Sequence, residues 1–421
     1  MSRIAVVGAG ISGLAAAWLL SRRHDVLLLE REARIGGHTH THHLDTPDGP
    51  LALDTGFLVH NTRTYPLLVR LFDELGVERL DSDMSFGVTN PRTGFEYSTR
   101  SLNGLFADRR NLIRPAHYAL LLEILRFNRE ARRLAAGADA GGAAGVDVAA
   151  TADLTLGEFL ERHHFGEAFT GRYLFPLAAA IWSASPGTIR AFPALTLVRF
   201  FQQHGMITVL DHPTWKIVKG GSAAYIPKLL AAPRVTTWTG AAPTAVRRQA
   251  TKVELSFADR PPVDVDGAVM ASFKTTANEA VLHTDATFLP KRPAARASWN
   301  YLLGESSGAA TVTYHLNRLQ RLVGRPRANG GASVGPGAGP LRKDYCVTLN
   351  PVAPVAPYEV IKRMTYTHPL YTVDAIRAQR RWAEISGRNR VHFCGAYWFY
   401  GFHEDGLRSA VRVAASLGVT W

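Results

Sequence analysis

The first thirty residues constrain the fold more than any other part of this chain. An apolar run from Ile4 to Val7 leads into glycines at positions 8, 10 and 13. An alanine-rich segment to about Leu20 follows, and then a second apolar run, Val26 to Leu29, which ends on Glu30. Continuous apolar runs are typical of parallel strands that are buried on both faces. The sequence therefore predicts a strand, a crossover helix and a second, parallel strand.

Each glycine of this turn has a physical task in binding a dinucleotide. Gly8 permits the tight turn, Gly10 lets backbone N–H groups approach a pyrophosphate, and Gly13 lets the helix pack on the strand. Glu30 lies about 20 residues on, where an acid accepts the ribose hydroxyls. A glycine-rich turn alone occurs in many α/β folds, but here strand, helix, strand and acid are all present. The expected cofactor contacts are Gly8, Gly10, Ile11, Ser12, Gly13 and Glu30.

The residues directly after Glu30 indicate which dinucleotide binds. Two glycines, Gly36 and Gly37, let the chain run close to a second part of the ligand, and Arg34 supplies a cation beside the phosphates. A nicotinamide enzyme would normally continue into another helix here. The pattern favours FAD, with Arg31 as a further contact.

This arrangement resembles the flavoprotein superfamily of amine oxidases, protoporphyrinogen oxidases and phytoene desaturases. In that superfamily a segment like Leu53 to Phe57 lies beside the flavin, which implies contacts from Gly56 and Phe57. The resemblance implies an α/β fold. It combines a Rossmann-like FAD-binding domain of the glutathione reductase type with an interleaved α+β substrate domain.

The resemblance also implies that two later segments return to the cofactor. The first runs through residues 215–222 into a helix, a strand at 235–239 and a hairpin at 246–257, with Val246 near the adenine, and a strand is expected at 263–272. The second runs from His392 through Gly395 to a helix that begins near Asp405 and Gly406. Asp405 would cap that helix and aim its positive end at the flavin N1 and C2 carbonyl.

The predicted domains follow from these three returns. Residues 1–60, 212–290 and 391–421 form the FAD-binding domain, and residues 61–211 and 291–390 form the substrate domain. Within the latter we expect helices at 117–134 and 155–163 joined by a Gly/Ala linker at 135–144, strands at 311–314 and 345–349, and a loop at 324–340.

Several strings are similar to a narrower bacterial family of NAD/FAD-binding flavoproteins, which also occurs as the N-terminal oxidase-like domain of plant cyclopropane-fatty-acyl synthases. These strings include residues 36–38, 56–59, 83–86, 298–301 and 348–351, and above all 393–397 with 401–407. Bacterial members accompany lipid methyltransferases, so the resemblance implies chemistry on acyl chains and a methyltransferase partner of that type. The chain departs from the family after Ser272, where a Thr-His pair and about 20 residues are missing.

The chemistry is expected on the loop before the last helix. Flavin accepts hydride at N5, so the protein has to bind, orient and exclude water. His403 and Glu404 could move a proton or simply hydrogen-bond the cofactor, and Tyr397 is the third catalytic candidate. The predicted substrate contacts are His60, Tyr397, Trp398, Tyr400 and Phe402. For the aromatic residues the alternative is core packing, and for His60 it is a structural role.

Two further features narrow the cofactor chemistry. The histidines at 38, 40, 42 and 43 lack the spacing of a metal site, so no metal is expected. The superfamily's Ser-Gly-Gly-Cys attachment motif is absent, and Cys394 is expected to pack in a strand. The FAD should therefore be noncovalent.

Composition limits the location and the partners. The net charge is +13, and arginines concentrate between Arg109 and Arg133 around an apolar helical stretch. This basic helix could lie on anionic lipid or could be a solvated face, whereas no nucleic-acid motif is present. No apolar run reaches the roughly 20 residues of a membrane span. The expected location is the cytoplasm, with peripheral binding at the inner membrane face.

Three functions remain open from the sequence. The first is an FAD-dependent oxidase or desaturase that acts on a fatty acyl or phospholipid chain by hydride transfer. The second is an oxidase of small amines, which needs an aromatic cage with an acidic neighbour. The third is a flavin-binding partner subunit of a lipid methyltransferase.

Overall fold

The structure is a computed structural model that describes residues 1–139, 154–208, 212–270, 275–304, 310–323 and 340–421. The predicted loop at 324–340 and residues 271–274, which include Ser272, therefore lie almost entirely outside the described residues. In the described part the strands are β1 Arg3–Val7, β2 Asp25–Leu29, β3 Thr41–Thr46, β4 Gly49–Asp54, β5 His60–Asn61, β6 Arg79–Asp81, β7 Phe86–Asn90, β8 Phe95–Ser98, β9 Trp215–Val218, β10 Val235–Trp238, β11 Ala245–Arg248, β12 Val253–Ser256, β13 Val263–Val265, β14 Gly267–Met270, β15 Thr275–His283, β16 Trp299–Leu302, β17 Thr311–His315, β18 Cys346–Leu349, β19 Val360–Pro369 and β20 Val391–Phe393.

The described residues form fourteen α-helices, of which two exceed ten residues. They are α1 Ile11–Leu20, α2 Pro66–Glu74, α3 Leu102–Leu105, α4 Pro115–Asp139, α5 Leu156–Arg162, α6 Glu167–Phe169, α7 Phe175–Trp182, α8 Pro186–Arg190, α9 Ala194–Gln203, α10 Ile226–Leu230, α11 Leu316–Leu319, α12 Val373–Arg380, α13 Trp382–Ile385 and α14 His403–Ser416. A π-helical segment, Thr170–Leu174, lies between α6 and α7.

A five-stranded parallel sheet gathers strands from distant parts of the chain. Its order is β10-β2-β1-β14-β20, and every neighbouring pair is parallel. The residues of β1 and β2 are buried on both faces because helices cover one face and the small antiparallel sheet β11-β12-β13 covers the other. This sheet confirms the predicted Rossmann-like architecture.

A mixed seven-stranded sheet, in the order β19-β15-β18-β17-β16-β7-β8, forms the second layer system. Helices α4, α5, α7 and α9 share one apolar core with it. Its strand Thr275–His283 falls before residue 290, inside the range that the predicted boundaries give to the FAD-binding domain. The domain boundaries themselves stay a prediction.

Two predicted elements differ from the structure. The expected single strand at 263–272 is two strands, because β13 pairs antiparallel with β12 while β14 pairs parallel with β1. The first residues of the expected linker at 135–144 belong to α4, which continues to Asp139. Ala135 is buried against the core, and this packing extends the helix past the point where composition suggested a linker.

Candidate functional site

The glycine turn between β1 and α1 has the geometry that the sequence indicates. Gly8 has φ +99°, a value that favours glycine. A Cβ atom on Gly13 would lie 1.8 Å from the carbonyl oxygen of Gly8, so only glycine allows this helix to meet the strand. A Cβ atom on Gly10 would have no neighbour within 4 Å. The chain therefore leaves open space beside Gly10, at the N-terminus of α1.

Glu30 lies at the end of β2, beside this turn. Its carboxylate accepts hydrogen bonds from the backbone N–H of Ala9 at 2.7 Å and of Glu32 at 2.9 Å. The backbone N–H of Ala241 bonds the carbonyl of Glu30, which brings the start of the β11 hairpin and the half-buried Val246 to the same side of the sheet. Arg31 is exposed and pairs with Glu32.

The Arg34 to Gly37 loop packs directly on the glycine turn. The N–H of Gly36 donates to the carbonyl of Ala9 at 2.9 Å, and a Cβ on Gly37 would lie 3.0 Å from the Cα of Gly10. The Arg34 guanidinium donates to the carbonyls of Thr39 at 2.9 Å and Gly37 at 2.7 Å. Arg34 thus braces the loop, a contact that the sequence did not indicate.

The segment around Gly56 and Phe57 lies against the same loop. The N–H of Phe57 donates to the carbonyl of His38 at 2.7 Å, and a Cβ on Gly56 would lie 2.0 Å from that oxygen. The Phe57 ring stacks on His403 with 3.7 Å between ring centroids. This stacking connects the early part of the chain to the start of α14.

The N-termini of α1 and α14 meet. A Cβ on Gly406 would lie 2.7 Å from Oγ of Ser12 and 2.8 Å from Cγ2 of Ile11. The N–H of Gly395 donates to Oγ of Ser409, which fixes the loop before α14. Since the N-terminus of a helix carries partial positive charge, two such ends at one place favour an anionic group between or beside them.

Asp405 occupies the third position of α14. Its Oδ2 accepts from the backbone N–H of Phe402 at 3.0 Å and of Tyr400 at 3.2 Å. The helix begins at His403, two residues before the predicted start, and Asp405 holds the loop that leads into it rather than being the N-cap residue. Burial raises the pKa of Asp405 to about 7.

His403 is buried within the cluster that includes Phe57. Its Nε2 lies 3.0 Å from Oγ1 of Thr39, which in turn lies 2.5 Å from the hydroxyl of Tyr225. Burial lowers the pKa of His403 well below its ordinary value, with smaller contributions from His38 and His60. The imidazole is therefore neutral at neutral pH.

The Glu404 carboxylate is not free beside the expected position of the flavin ring, contrary to expectation. Its two oxygens accept from the backbone N–H groups of Leu67 at 3.1 Å and Leu68 at 3.0 Å, in the first turn of α2. These donors have no partner within their own helix, so Glu404 caps α2 from 336 residues away. Its proton-transfer role stays a prediction that this contact does not support.

The aromatic residues of the last loop do not share one wall, as was expected. Trp398 is 7% exposed and packs in the core beside α1 and α14, because the 3₁₀ turn Ala396–Trp398 directs it inward. The Tyr397 ring covers Gly395, and its hydroxyl donates to the carbonyl of Cys394 at 3.1 Å. Of the predicted substrate residues, Tyr400 and Phe402 line a cavity together.

That cavity is small, with a volume of about 20 Å³. Its remaining lining comes from Thr64, Tyr65, Gln203, His204, Glu404, Asp405 and Arg408. The ring of Phe402 stacks on Phe200 at 4.9 Å, and Phe200 stacks on His204 at 3.8 Å. The α9 residues of this wall were missed, because their amphipathic spacing is that of any core helix.

A larger cavity of about 100 Å³ lies apart from the predicted site residues. Phe175 and Pro176 of α7 and Tyr301 and Leu302 of β16 are among its lining residues. None of the predicted cofactor, catalytic or substrate residues is among its lining, although Tyr301 belongs to the string 298–301.

His60 is fully buried and does not face a cavity, contrary to its expected substrate contact. Its ring lies 5.2 Å from that of Phe72 and 6.3 Å from that of Phe57. Neither ring nitrogen has a hydrogen-bond partner. Burial lowers the pKa of His60 to about 3.

A polar network beside the Arg34 loop was also missed. The hydroxyl of Tyr366, on β19, lies 2.9 Å from Nδ1 of His40 and 2.7 Å from Oγ1 of Thr55. The His38 ring lies 5.2 Å from the rings of Tyr366 and His368. No local signal could identify these β19 residues, since their partners lie more than 300 positions away.

The residues present fit FAD. The open space beside Gly10, the two converging helix N-termini and the acid at the end of β2 provide what a pyrophosphate and a ribose require. Cys394 is buried, and burial raises the pKa of its thiol to about 12, which opposes a covalent thiolate link. Among the described residues no group of three or more His, Cys, Asp or Glu could hold a metal ion.

A fold of this kind with this site defines a flavin-dependent oxidoreductase. Residues 11–306 match the family of flavin containing amine oxidoreductases, and the chain belongs to that family. It is an FAD-binding enzyme.

Solved structures with the same fold cover nearly the whole chain. Cyclohexylamine oxidase from Brevibacterium oxydans IH-35A matches at 15% identity with a TM-score of 0.65, over 99% of this chain and 98% of that chain. Wild-type putrescine oxidase bound to putrescine matches with the same four values. A CLA-producing fatty acid isomerase from P. acnes matches at 15% identity with a TM-score of 0.64 and the same coverage. These likenesses show the fold.

No helix within the described ranges is both long enough and apolar enough to cross a membrane.

Proposed function

We propose that this FAD-dependent oxidoreductase oxidises a hydrophobic acyl chain of a fatty acid or phospholipid. The observation that carries the proposal is an aromatic wall whose neighbouring carboxylates are already bound. Phe402, Phe200 and Tyr400 form apolar surface, while both oxygens of Glu404 and Oδ2 of Asp405 accept backbone N–H groups. An apolar substrate needs that surface and needs no free carboxylate.

Buried carboxylates elsewhere in the described residues also have hydrogen-bond donors. Asp54 accepts from Ser222 and Gln320, Glu96 from Lys291 and Arg292, and Asp108 from Arg110. Among the described residues no carboxylate oxygen that is fully shielded from solvent lacks a hydrogen-bond partner. An ammonium substrate would have to compete with these donors, and a desolvated charge without a partner is costly.

The proposed roles of the chain follow from the geometry of the site. Gly10, Ser12 and Gly406 hold the pyrophosphate at the two helix N-termini, and Glu30 accepts the ribose hydroxyls. FAD, when bound, accepts a hydride from a substrate carbon. If a double bond forms, a neighbouring carbon loses a proton, and the His403 imidazole, whose Nε2 is held by Thr39, is the acceptor we propose.

One solved structure with this fold supports a lipid substrate by example. The CLA-producing isomerase acts on a fatty acid according to its description, which indicates that this fold can accommodate an acyl chain. The resemblance to lipid-modifying flavoproteins supports the same substrate class.

Anaerobic mixing of the oxidised holoenzyme with two sets of compounds tests the proposal. One set contains phospholipids with unsaturated or methyl-branched chains, and the other contains putrescine, cyclohexylamine and polyamines. The proposal predicts that the flavin absorbance near 450 nm is bleached by members of the lipid set alone. Bleaching by amines alone would contradict it.

Oxidation of small amines is the second function, because Tyr65, Tyr400 and Phe402 line the small cavity together with Asp405. An aromatic box beside a carboxylate can hold a cation. Arg408 lines the same cavity and supplies a competing positive charge, which is why we rank this function below the first. If neither set bleaches the flavin, the partner-subunit role beside a lipid methyltransferase takes precedence.

A further inference from the structure

The helices beside the seven-stranded sheet expose large apolar side chains to solvent on one face. We call it the α4 face and define it by residues 102–133, which include α3, the 3₁₀ turn Arg109–Leu112 and most of α4. Ile113 is 85% exposed, Leu102 76% and Leu122 66%. The exposed large apolar residues of this face are Leu102, Leu112, Ile113, Tyr118, Leu122 and Leu125.

Their concentration distinguishes them from ordinary surface residues. Single exposed apolar side chains are common on soluble proteins, whereas a cluster of them marks an interaction surface. Of the twelve large apolar side chains that are exposed in the described residues, these six lie within 24 consecutive positions. The cluster therefore needs an explanation that the other six do not.

Folding does not explain it. The inner side of α4 buries Leu120, Phe127 and Ala131 against the main core. Tyr118, Leu122 and Leu125 are spaced by four and three residues and so share the opposite, outer side. The first half of α4 is consequently apolar on both sides, and the outer apolar side contributes nothing to the described core.

Positive charge surrounds the apolar cluster. Seven arginines and three carboxylates lie within residues 102–133, a net charge of +4. Asp108 pairs with both Arg110 at 2.9 Å and Arg114 at 3.4 Å, and Glu130 faces both Arg129 and Arg133 at 3.0 Å. Each of these carboxylates meets at least two guanidinium groups, Asp108 also lying 3.8 Å from Arg292, so positive charge remains after every pairing.

We propose that the α4 face docks on an anionic lipid bilayer. The apolar side chains enter the boundary between headgroups and acyl chains, and the flanking arginines lie at the level of the lipid phosphates. A second copy of the chain fits poorly, because a symmetric contact would bring two +4 surfaces together. The docking does not rest on the acyl substrate, since binding is measured without turnover.

Vesicle sedimentation with the purified holoenzyme tests the proposal. Vesicles of phosphatidylcholine alone are compared with vesicles in which about one lipid in three is phosphatidylglycerol, at low and high salt. We expect the anionic vesicles to bind at least about tenfold more strongly, and high salt to reduce that binding. The Ile113→Gln/Leu122→Gln variant should lose about tenfold in partitioning, because two side chains no longer enter the bilayer.

Matched variants separate the face from general surface properties. Tyr358→Gln/Ile385→Gln changes two exposed apolar residues elsewhere, Tyr358 being 84% exposed, and should bind as the parent does. Arg133→Gln should lower binding to anionic vesicles by about fivefold. Arg247→Gln, an equally exposed arginine paired with Glu254, should have little effect. Flavin content and thermal unfolding show that each variant is folded.

Three results would overturn the proposal. The first is absence of binding to anionic vesicles at low salt. The second is equal binding to neutral and anionic vesicles, which would remove the electrostatic part. The third is binding that the Ile113→Gln/Leu122→Gln variant and its control lose equally. Concentration-dependent dimerisation lost only in the Ile113→Gln/Leu122→Gln variant, without vesicle binding, would assign the face to self-association instead. Lipid turnover with no vesicle binding would overturn the docking and leave the substrate proposal intact.

Discussion

At the scale of single residues, two glycines of the first turn have opposite surroundings. Gly10 has φ −76° and ψ 179°, which any residue can adopt, and its Cβ position is open. Gly13 has no such room, because a Cβ there would lie 1.8 Å from the carbonyl of Gly8. Cofactor binding and folding can therefore be separated by two substitutions of the same kind.

We expect Gly10→Val to keep the fold of the apoprotein and to lose flavin, because the side chain fills the space beside the helix N-terminus. Gly13→Val should lower the free energy of unfolding by about 3 kcal/mol or more, since backbone has to move. Thermal unfolding of the apoproteins and the flavin-to-protein absorbance ratio measure the two effects. Loss of stability in Gly10→Val equal to that in Gly13→Val would count against this assignment.

His60 provides a prediction on pH dependence. The folded state keeps His60 neutral down to a pKa of about 3, whereas an unfolded chain protonates it near 6.5. The unfolded state thus binds more protons between these values, so the contribution of His60 to stability is present above about pH 6.5 and declines as the pH falls.

We expect His60→Phe to retain flavin and to unfold with a weaker acid dependence than the parent, by about 3 kcal/mol at pH 4.5. Urea unfolding at pH 7.5 and 4.5 measures the difference, and the exposed His43→Phe is the control. An unchanged acid dependence in His60→Phe would show that this ring is not held neutral by burial.

At the scale of elements, the site depends on where the helices begin. The N-terminus of α14 touches that of α1 through Gly406 and Ser12, and the N-terminus of α2 is capped by Glu404. The loop before α14 and the first turn of α14 thus contact the N-termini of both α1 and α2.

We expect Gly406→Ala to weaken flavin binding by at least about tenfold, because the new methyl group pushes Ser12 and Ile11 away and separates the two positive helix ends. Isothermal titration of apoprotein with FAD measures the affinity. Gly171→Ala, where a Cβ has no neighbour within 4 Å, is the control. Equal affinity in Gly406→Ala and the control would show that this contact does not shape the cofactor site.

The sequence could predict the elements that are defined by neighbouring residues. The β1-α1-β2 unit follows from apolar runs and glycine spacing, and the start of α14, to within two residues, follows from Asp405. The cap that Glu404 places on α2 could not be predicted, because the bond joins residues that are more than 330 positions apart. The burial of Trp398 could not be predicted either, since only tertiary packing decides which aromatic side chains of a loop are buried.

At the scale of the whole molecule, the chain passes through the cofactor unit three times. Strands from residues 3–29, 235–270 and 391–393 share one parallel sheet. The segments that connect them supply the seven-stranded sheet and the helices that pack on it. The family resemblance predicts this interleaving, whereas the register of the seven-stranded sheet has no counterpart in local sequence patterns. The apolar side of the α4 face was likewise visible only once burial was known.

We propose that these three segments close around one noncovalently bound FAD. Acid precipitation of the purified protein, followed by absorbance and mass analysis of the supernatant, tests this binding. We expect free FAD in the supernatant at about one per chain, and no flavin in Gly10→Val prepared in the same way. Flavin that stays with the precipitated protein, or protein that is purified folded without flavin and binds none when FAD is added, would contradict it.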